Sequence, residues 1–286
     1  MKTKILVTGA NGQLAKCIKD LEPNFLNFNI SFKNSSELDI ANPNQVSDVF
    51  KSNKFDWCIN CAAYTNVEKA ETETEKAFKI NQLGIKNIAL ACGDYNTKLI
   101  HVSTDFVFDG KSPEAYTEKD EPNPINVYGL SKLKGEKELQ SILNEYFIIR
   151  TSWLYSEYGS NFLKTMLKLA ETKREINVVS DQIGTPTYAK DLANIILNII
   201  KSDIKKYGIY NYSNQGETSW YDFASEIFKI CKASIKVKPI TASNYPTLAK
   251  RPKFSVLDKT KIKNTFNISI PHWKDSLEIA IKNLNG

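Results

Sequence analysis

Apolar positions along the chain follow two rhythms. Short runs rich in β-branched residues read as strands buried on both faces, and longer segments with apolar residues three and four apart read as amphipathic helices. Strands are predicted at residues 4–8, 29–32, 57–63, 99–104 and 146–155. Helices are predicted at 13–21, from Pro43 to about Lys51, over 68–95 with one or two breaks, and from just after Pro124 to about Leu143. The last boundary follows from the steric restriction that a proline places on the residue before it. This alternation predicts an α/β fold, a doubly wound parallel sheet over residues 1–155. Further on, helices are expected at 161–172, 188–201, 221–232 and 273–283, with short strands at 177–180, 209–212 and 236–240. Residues 156–286 are therefore expected to form mainly a smaller lobe, interleaved with the first domain.

Composition narrows the function without naming it. The chain has 286 residues, 42% hydrophobic and 24% charged, which is ordinary for a globular protein. The 38 Lys and Arg against 32 Asp and Glu give a net charge of +6. The lysines are dispersed, without a basic block or aromatic interleaving, so no nucleic-acid partner is expected. The apolar run at 195–200 is interrupted by Asn198 and is too short to span a membrane. Five cysteines, an odd number, lie mostly in apolar runs, and the Cys58–Cys61 pair falls in a buried-strand pattern, which favours core residues over a metal or disulfide site. With no signal peptide ahead of the first strand, a reducing cytoplasm is the expected location.

Candidate chemistry sits at the predicted strand ends. The segment GANGQLA (9–15) joins the first strand to the first helix. There Gly9 permits a sharp turn, Gly12 lets backbone approach a pyrophosphate, and the helix N-terminus offers N–H groups to an anion. Ala15 stands where a third glycine is usual. At the end of the second strand no carboxylate appears before Glu37, and Lys33 is placed to meet a 2′-phosphate, which tilts the expectation toward NADPH over NADH. Ser103, Thr104 and Asp105 end the strand at 99–104, whereas His101 alternates within it and reads as structural. Tyr128 and Lys132 are four residues apart, hence on one helical face. A cation beside a phenol stabilises the phenolate, so Lys132 is expected to draw the Tyr128 pKa down.

Taken together, AAYTNVEKAE (62–71), STDFVFDG (103–110), NVYGLSK (126–132), RTSW (150–153), NFLKTM (161–166), DQIGTPT (181–187) and Arg251-Pro252 resemble the dTDP-4-dehydrorhamnose reductase family of the extended short-chain dehydrogenase/reductases, almost end to end. The resemblance implies a Rossmann-like sheet and reduction of the C4 ketone of dTDP-4-dehydrorhamnose by NAD(P)H. Thr104, Tyr128 and Lys132 would then be catalytic, with Tyr128 the proton donor. Gly9, Asn11, Gly12, Gln13, Leu14, Asp39, Ile40, Ala62, Ala63, Tyr64, Thr65 and Val102 would join Tyr128 and Lys132 in holding the cofactor. Val67, Ser103, Thr104, Asp105, Tyr128, Trp153 and Arg251 would contact the sugar nucleotide. Some relatives bridge subunits through a metal held by glutamates. This chain has Cys17 and Lys190 around those places, so no metal is expected, and a homodimer stays open. Phe106 follows Asp105 where a dehydratase needs a glutamate, which argues against dehydration. An epimerase or another reductase of the superfamily, and a non-catalytic NADP-binding regulatory subunit, are the alternatives.

Overall fold

Ile5, Leu6 and Val7 of β1 (Thr3–Thr8) have no solvent exposure, because the strand is covered on both faces. The structure, a computed structural model, describes residues 2–285. The chain continues through α1 (Gln13–Leu21), β2 (Phe28–Lys33), α2 (Pro43–Ser52), β3 (Trp57–Asn60), α3 (Val67–Ala70), α4 (Thr74–Phe78), a π-helical turn at Lys79–Gly84 and α5 (Ile85–Asp94). Then come β4 (Lys98–Thr104), α6 (Val127–Ile142) and β5 (Tyr146–Thr151). The remainder holds β6 (Leu154–Tyr155), α7 (Phe162–Thr172), β7 (Glu175–Val179), β8 (Ile183–Gly184), β9 (Thr187–Tyr188), α8 (Ala189–Ser202) and β10 (Gly208–Asn211). It closes with β11 (Thr218–Ser219), α9 (Trp220–Ile230), β12 (Lys236–Ile240), α10 (Thr260–Phe266) and α11 (Trp273–Asn285).

Six strands form one parallel sheet in the order β10-β5-β4-β3-β1-β2. Successive side chains point to opposite faces, so Ile5 and Val7 enter one core and Leu6 the other. The first core packs α1 and α8 on the sheet through Leu14, Ile18, Leu192 and Ile196. The second packs α2, α5 and α6 through Val46, Phe50, Ile88 and Leu139. A third core, built by Tyr155, Leu163, Phe223, Trp273 and Leu277, belongs to the smaller C-terminal lobe. The strand order reverses between β1 and β3, and that switch point opens a crevice at their carboxyl ends.

Two of the predicted strands end early, and one short helix was not predicted. The third strand ends at Asn60 rather than at 63, because the next residues leave the sheet and bond elsewhere: the Ala62 N–H donates to Thr8 Oγ1 at 3.3 Å, and the Tyr64 N–H to Asn81 Oδ1 at 2.8 Å. The helical segment at 68–95 has its expected break at 71–73, after which α4, the π-turn and α5 run on without a gap. The π-turn carries Asn81 inward, where its amide also donates to Tyr64 O and Ser131 Oγ, each at 3.0 Å. The fifth strand stops at Thr151, and α10 was not anticipated, being only seven residues long.

Helix α6 begins where Asn126 Oδ1 accepts the Gly129 N–H at 2.7 Å, a side-chain cap of the kind that defines helix N-termini. It lies so close to the π-turn that a Cβ on Gly135 would fall 2.1 Å from the carbonyl oxygen of Asn81. Backbone cannot yield as a side chain can. Gly135→Ala is therefore expected to lower stability by about 2 kcal/mol or more, read as a reduced denaturation midpoint; an unchanged midpoint would refute this packing.

Candidate active site

The crevice is a cavity of about 730 Å³. Its cofactor-side wall comes from the turn after β1. Gly9 has φ +68°, and a Cβ there would meet the Ala62 backbone at 2.7 Å, so the turn and the β3 exit touch only because the residue is glycine. Gly12, the N-cap of α1, supplies no side-chain hydrogen bond to the first turn, which leaves backbone N–H groups for an anion. A cradle that a Cβ would fill and an uncapped helix start facing the cavity both fit a dinucleotide pyrophosphate. Gln13 turns the other way: its amide donates to Leu154 O at 3.1 Å and accepts from Ser156 Oγ at 3.2 Å, tying α1 to the smaller lobe.

Around the cavity the structure places Gly9, Asn11, Gly12, Gln13, Leu14, Asp39, Ile40, Ala62, Ala63, Thr65, Val67 and Val102. Ser103, Thr104, Asp105, Tyr128, Lys132 and Trp153 complete the far end. Lys33, Tyr64 and Arg251 are not among its lining residues. Tyr64 turns away and packs with Ala70 and Ala77, its hydroxyl donating to Glu73 at 3.2 Å. Arg251 lines a second cavity and is held at 2.5 Å by Glu68. Ser103 lies at the wall, but its hydroxyl donates to Glu136 at 2.5 Å, so it braces α6 instead of presenting a free group.

Behind Tyr128 and Lys132 runs a layer of buried polar contacts. Arg150 on β5 grips Glu136 on α6 through two nitrogens, with Nη2 at 2.6 Å from Oε2, and both side chains are at most 2% exposed. Lys132, itself buried, donates from Nζ to Val102 O at 2.7 Å and lies 3.3 Å from His101 Nε2. The other face of that imidazole lies 3.0 Å from the Asn60 amide, which in turn accepts from Thr8 at 2.6 Å. His101 is thus structural and also touches the lysine. Burial and the facing ammonium hold it well below the usual histidine range, hence neutral. Asn60, Asn81, Glu136 and His101 support the site without any sequence motif to mark them; for Asn60 and His101 a polar side chain inside an apolar strand was the one available sign, and Glu136 in a charged stretch had none.

The electrostatics correct one expectation. Burial pushes the Tyr128 phenol up to about 12, against a lowering by the Thr104 hydroxyl, and Asp105 raises it further. Lys132 does not draw it down, because its ammonium is turned to Val102 and His101. The phenol therefore stays protonated at neutral pH. Burial lowers Lys132 to about 8, with Glu136 and Cys61 opposing. Asp105, 1% exposed, is raised to about 6 by burial, against hydrogen bonds that include Thr104 Oγ1 at 3.1 Å. Its Oδ2 has no hydrogen-bond partner among the described residues. The Ser255 hydroxyl lies beside the same carboxylate and opposes the effect of burial, and a buried acceptor in a cavity wall suits a hydroxyl donor on a ligand.

The second cavity, of about 1090 Å³, adjoins Trp220 and Phe162 and carries Lys111, Lys250, Arg251 and Lys253. Asn126 Nδ2 donates to Lys250 O at 2.7 Å, linking that basic segment to the start of α6. All five cysteines are free thiols, and among the described residues no group of three or more His, Cys, Asp or Glu side chains is arranged to hold a metal. No helix among them is long and apolar enough to cross a membrane.

A switch-point crevice with a glycine turn on one side and a Thr, Tyr-x-x-x-Lys group on the other defines an extended short-chain dehydrogenase/reductase. More narrowly, residues 3–285 match the family described as the RmlD substrate binding domain, and the chain belongs to that family. It is 41% identical over 285 residues to the dTDP-4-dehydrorhamnose reductase of Aggregatibacter actinomycetemcomitans, covering 96% of this chain and 97% of that protein. Among solved structures it is similar to the Bacillus anthracis str. Ames dTDP-4-dehydrorhamnose reductase in complex with NADP (TM-score 0.95, 40% identity, 99% of this chain and 100% of that one). A Clostridium acetobutylicum ATCC 824 dTDP-4-dehydrorhamnose reductase structure is similar at TM-score 0.95 and 42% identity, with 99% and 100% covered.

A carboxylate raised to about 6 has a stability signature. Unfolded, Asp105 titrates near the ordinary value of 3.8. Between the two values the folded state holds the extra proton, so stability falls as pH rises through that window, and the full penalty applies above it. Asp105→Asn is expected to stabilise the protein at pH 7.5 by up to ~3 kcal/mol and to bring little gain at pH 4. Equal gains at both pH values, measured by chemical denaturation, would exclude this source.

Proposed function

We propose that this protein reduces the C4 ketone of dTDP-4-dehydrorhamnose to give dTDP-L-rhamnose, with NADPH or NADH as reductant. The observation that carries the reading is the convergence of Thr104, Tyr128 and Lys132 on the cavity that also contains the Gly9–Leu14 turn. The reductase names borne by relatives at about 40% identity over nearly the whole chain support it. A reduced nicotinamide, when bound, supplies the hydride. Residues 9–14, with Asp39, Ile40, Ala62, Ala63, Thr65 and Val102, would hold that cofactor. Residues 1–155 with the returning strand β10 serve mainly the cofactor, and residues 156–286 mainly the sugar nucleotide.

The chain's own part in the chemistry is proton transfer, polarisation and exclusion of water. Tyr128 gives its phenolic proton to the ketone oxygen as negative charge develops there. Its raised pKa keeps that proton available at neutral pH. Thr104, beside the phenol, donates a hydrogen bond to the same oxygen, and in a dry site such a donor is worth far more than in water. Lys132, buried beside the group, would donate hydrogen bonds to the ribose hydroxyls of the cofactor. Asp105 accepts from a sugar hydroxyl, Trp153 offers a flat wall, and Val67 closes the side. The basic face of the second cavity takes the diphosphate, with Lys250 and Lys253 as the cations and Arg251 shared with Glu68. A dehydratase needs an acid–base pair after Thr104, and Phe106 packs edge-on against Tyr128 instead.

Purified protein is expected to oxidise NADPH only when dTDP-4-dehydrorhamnose is supplied, followed by loss of reduced-nicotinamide absorbance; no oxidation with that substrate would sink the reading. Tyr128→Phe is expected to lower kcat by at least about 100-fold with cofactor affinity nearly unchanged. Lys33 ends β2 and is half-buried beside Glu37 at 3.8 Å. If it meets the 2′-phosphate, Lys33→Glu shifts the NADPH-to-NADH ratio of kcat/KM toward NADH by about tenfold, the worth of one charge-assisted hydrogen bond. An unchanged ratio would remove Lys33 from cofactor choice.

A further inference from the structure

Trp153 and Trp220 stack with ring centroids 3.5 Å apart and planes 9° from parallel. Each ring faces a different space: Trp153 lines the crevice with Thr104 and Tyr128, and Trp220 lines the basic second cavity. Trp153 has φ +46°, a left-handed conformation that a bulky side chain rarely adopts and that persists only when surroundings impose it. The surroundings here are specific. A Cβ on Gly184 would fall 2.7 Å from the Trp153 indole at Cε2, so that residue's lack of a side chain makes room for the ring. Gly184 pairs with Thr218 in the β8–β11 ladder, and Ser219 then leads directly into Trp220. Phe162 packs on the other side of Trp220 at 4.6 Å, extending the column into the lobe's core.

We propose that Trp220 is a positioning residue for the reaction: it holds the Trp153 indole as the sugar wall, and through the stack it transmits occupancy of the second cavity to the crevice. The proposal rests on the reading above, in which one substrate spans both cavities, its nucleoside diphosphate in the basic one and its sugar beside Tyr128. A group settling against Trp220 then alters the surface on which the sugar lies before the sugar itself is seated. Trp220 touches neither the reacting atoms nor the cofactor turn. Its loss should therefore alter sugar placement and spare cofactor binding.

The test compares wild type, Trp220→Ala and Trp220→Phe. Because a misplacement of about 1 Å in a reacting group costs on the order of 100-fold, Trp220→Ala is expected to lose at least about tenfold in kcat/KM for the sugar nucleotide. NADPH affinity should stay at the wild-type value, and Trp220→Phe, which keeps an aromatic face, should recover most of the activity. A Trp220→Ala enzyme within twofold of wild type, or a Trp220→Phe enzyme as poor as the alanine variant, would overturn the positioning role. Stacked indoles couple their electronic transitions, giving an exciton couplet in circular dichroism that Trp153→Phe should remove. Thymidine diphosphate, which lacks the deoxyhexose that would reach Trp153, is expected to change that couplet in the wild-type protein. An unchanged couplet at saturation, with binding confirmed by calorimetry, would overturn the transmission. Wild-type protein without turnover would sink the assigned substrate, whereas an active wild type unaffected by these variants would sink only the role of Trp220.

Discussion

The site depends on one buried contact, the ion pair between Glu136 and Arg150. Glu136 lies on α6, one helical turn beyond Lys132 and two beyond Tyr128, and Arg150 lies on β5, between β4 and the edge strand β10. Their union fixes the rotation of the helix against the sheet, and Ser103 on β4 adds a third anchor to the same carboxylate. Such a pair contributes little net stability, because removing both charges from water costs about as much as their attraction returns. Losing one partner is costly, however, since the other is left charged and unpaired in a dry interior. The guanidinium also lies 5.2 Å from the Phe108 ring, so little else there is polar enough to replace the carboxylate. The pair thus acts on specificity of placement, and the tyrosine and lysine inherit that placement.

A second set of contacts joins the cofactor turn to the smaller lobe. Gln13, in the first turn of α1, reaches Leu154 and Ser156, and Asn161 caps α7 while donating to Ser156 O at 2.8 Å. These hydrogen bonds tie the N-terminal end of α1 to the segment that follows Trp153. Asn81 does the same on the opposite side, stitching the exit of β3 to α6. A ketone held between these two sides meets donors whose positions are already set, which is how preorganised sites avoid reorganisation during the reaction. The phenol illustrates the consequence: a desolvated Tyr128 is a weaker acid than tyrosine in water, so it keeps its proton at neutral pH, as the proposed role of proton donor requires.

Much of this arrangement was legible in the chain. The strands from 4–8 to 146–155 and the helices between them emerge from apolar periodicity, since a doubly covered parallel sheet demands continuous apolar runs. The glycine turn and the Tyr-x-x-x-Lys helix are local patterns with local causes, and their residues do meet at one cavity. Illegible were the supporting polar groups and the breaks. Asn81 lies in an amphipathic helical segment and Asn60 in an apolar strand, and the partners named for them are 17 to 52 residues away. The π-turn leaves no pattern because one extra residue in a helical turn changes neither composition nor charge. Tyr64 was drawn toward the cofactor by its motif, whereas it packs beside Ala70 and Ala77 and donates to Glu73.

By itself the sequence determined the order of elements, the glycine turn behind β1 and the four-residue spacing of Tyr128 and Lys132, because each depends on residues adjacent in the chain or on one helical face. Tertiary structure alone decided the acidity of the phenol. Spacing suggested that the ammonium would lower it, but burial dominates and the lysine turns to Val102 and His101. It also decided that Trp153 would stand in a left-handed conformation against Trp220, a contact between residues 67 positions apart that no local pattern specifies. Desolvation and long-range packing are properties of the assembled interior, and they come into being only when distant segments exclude water together.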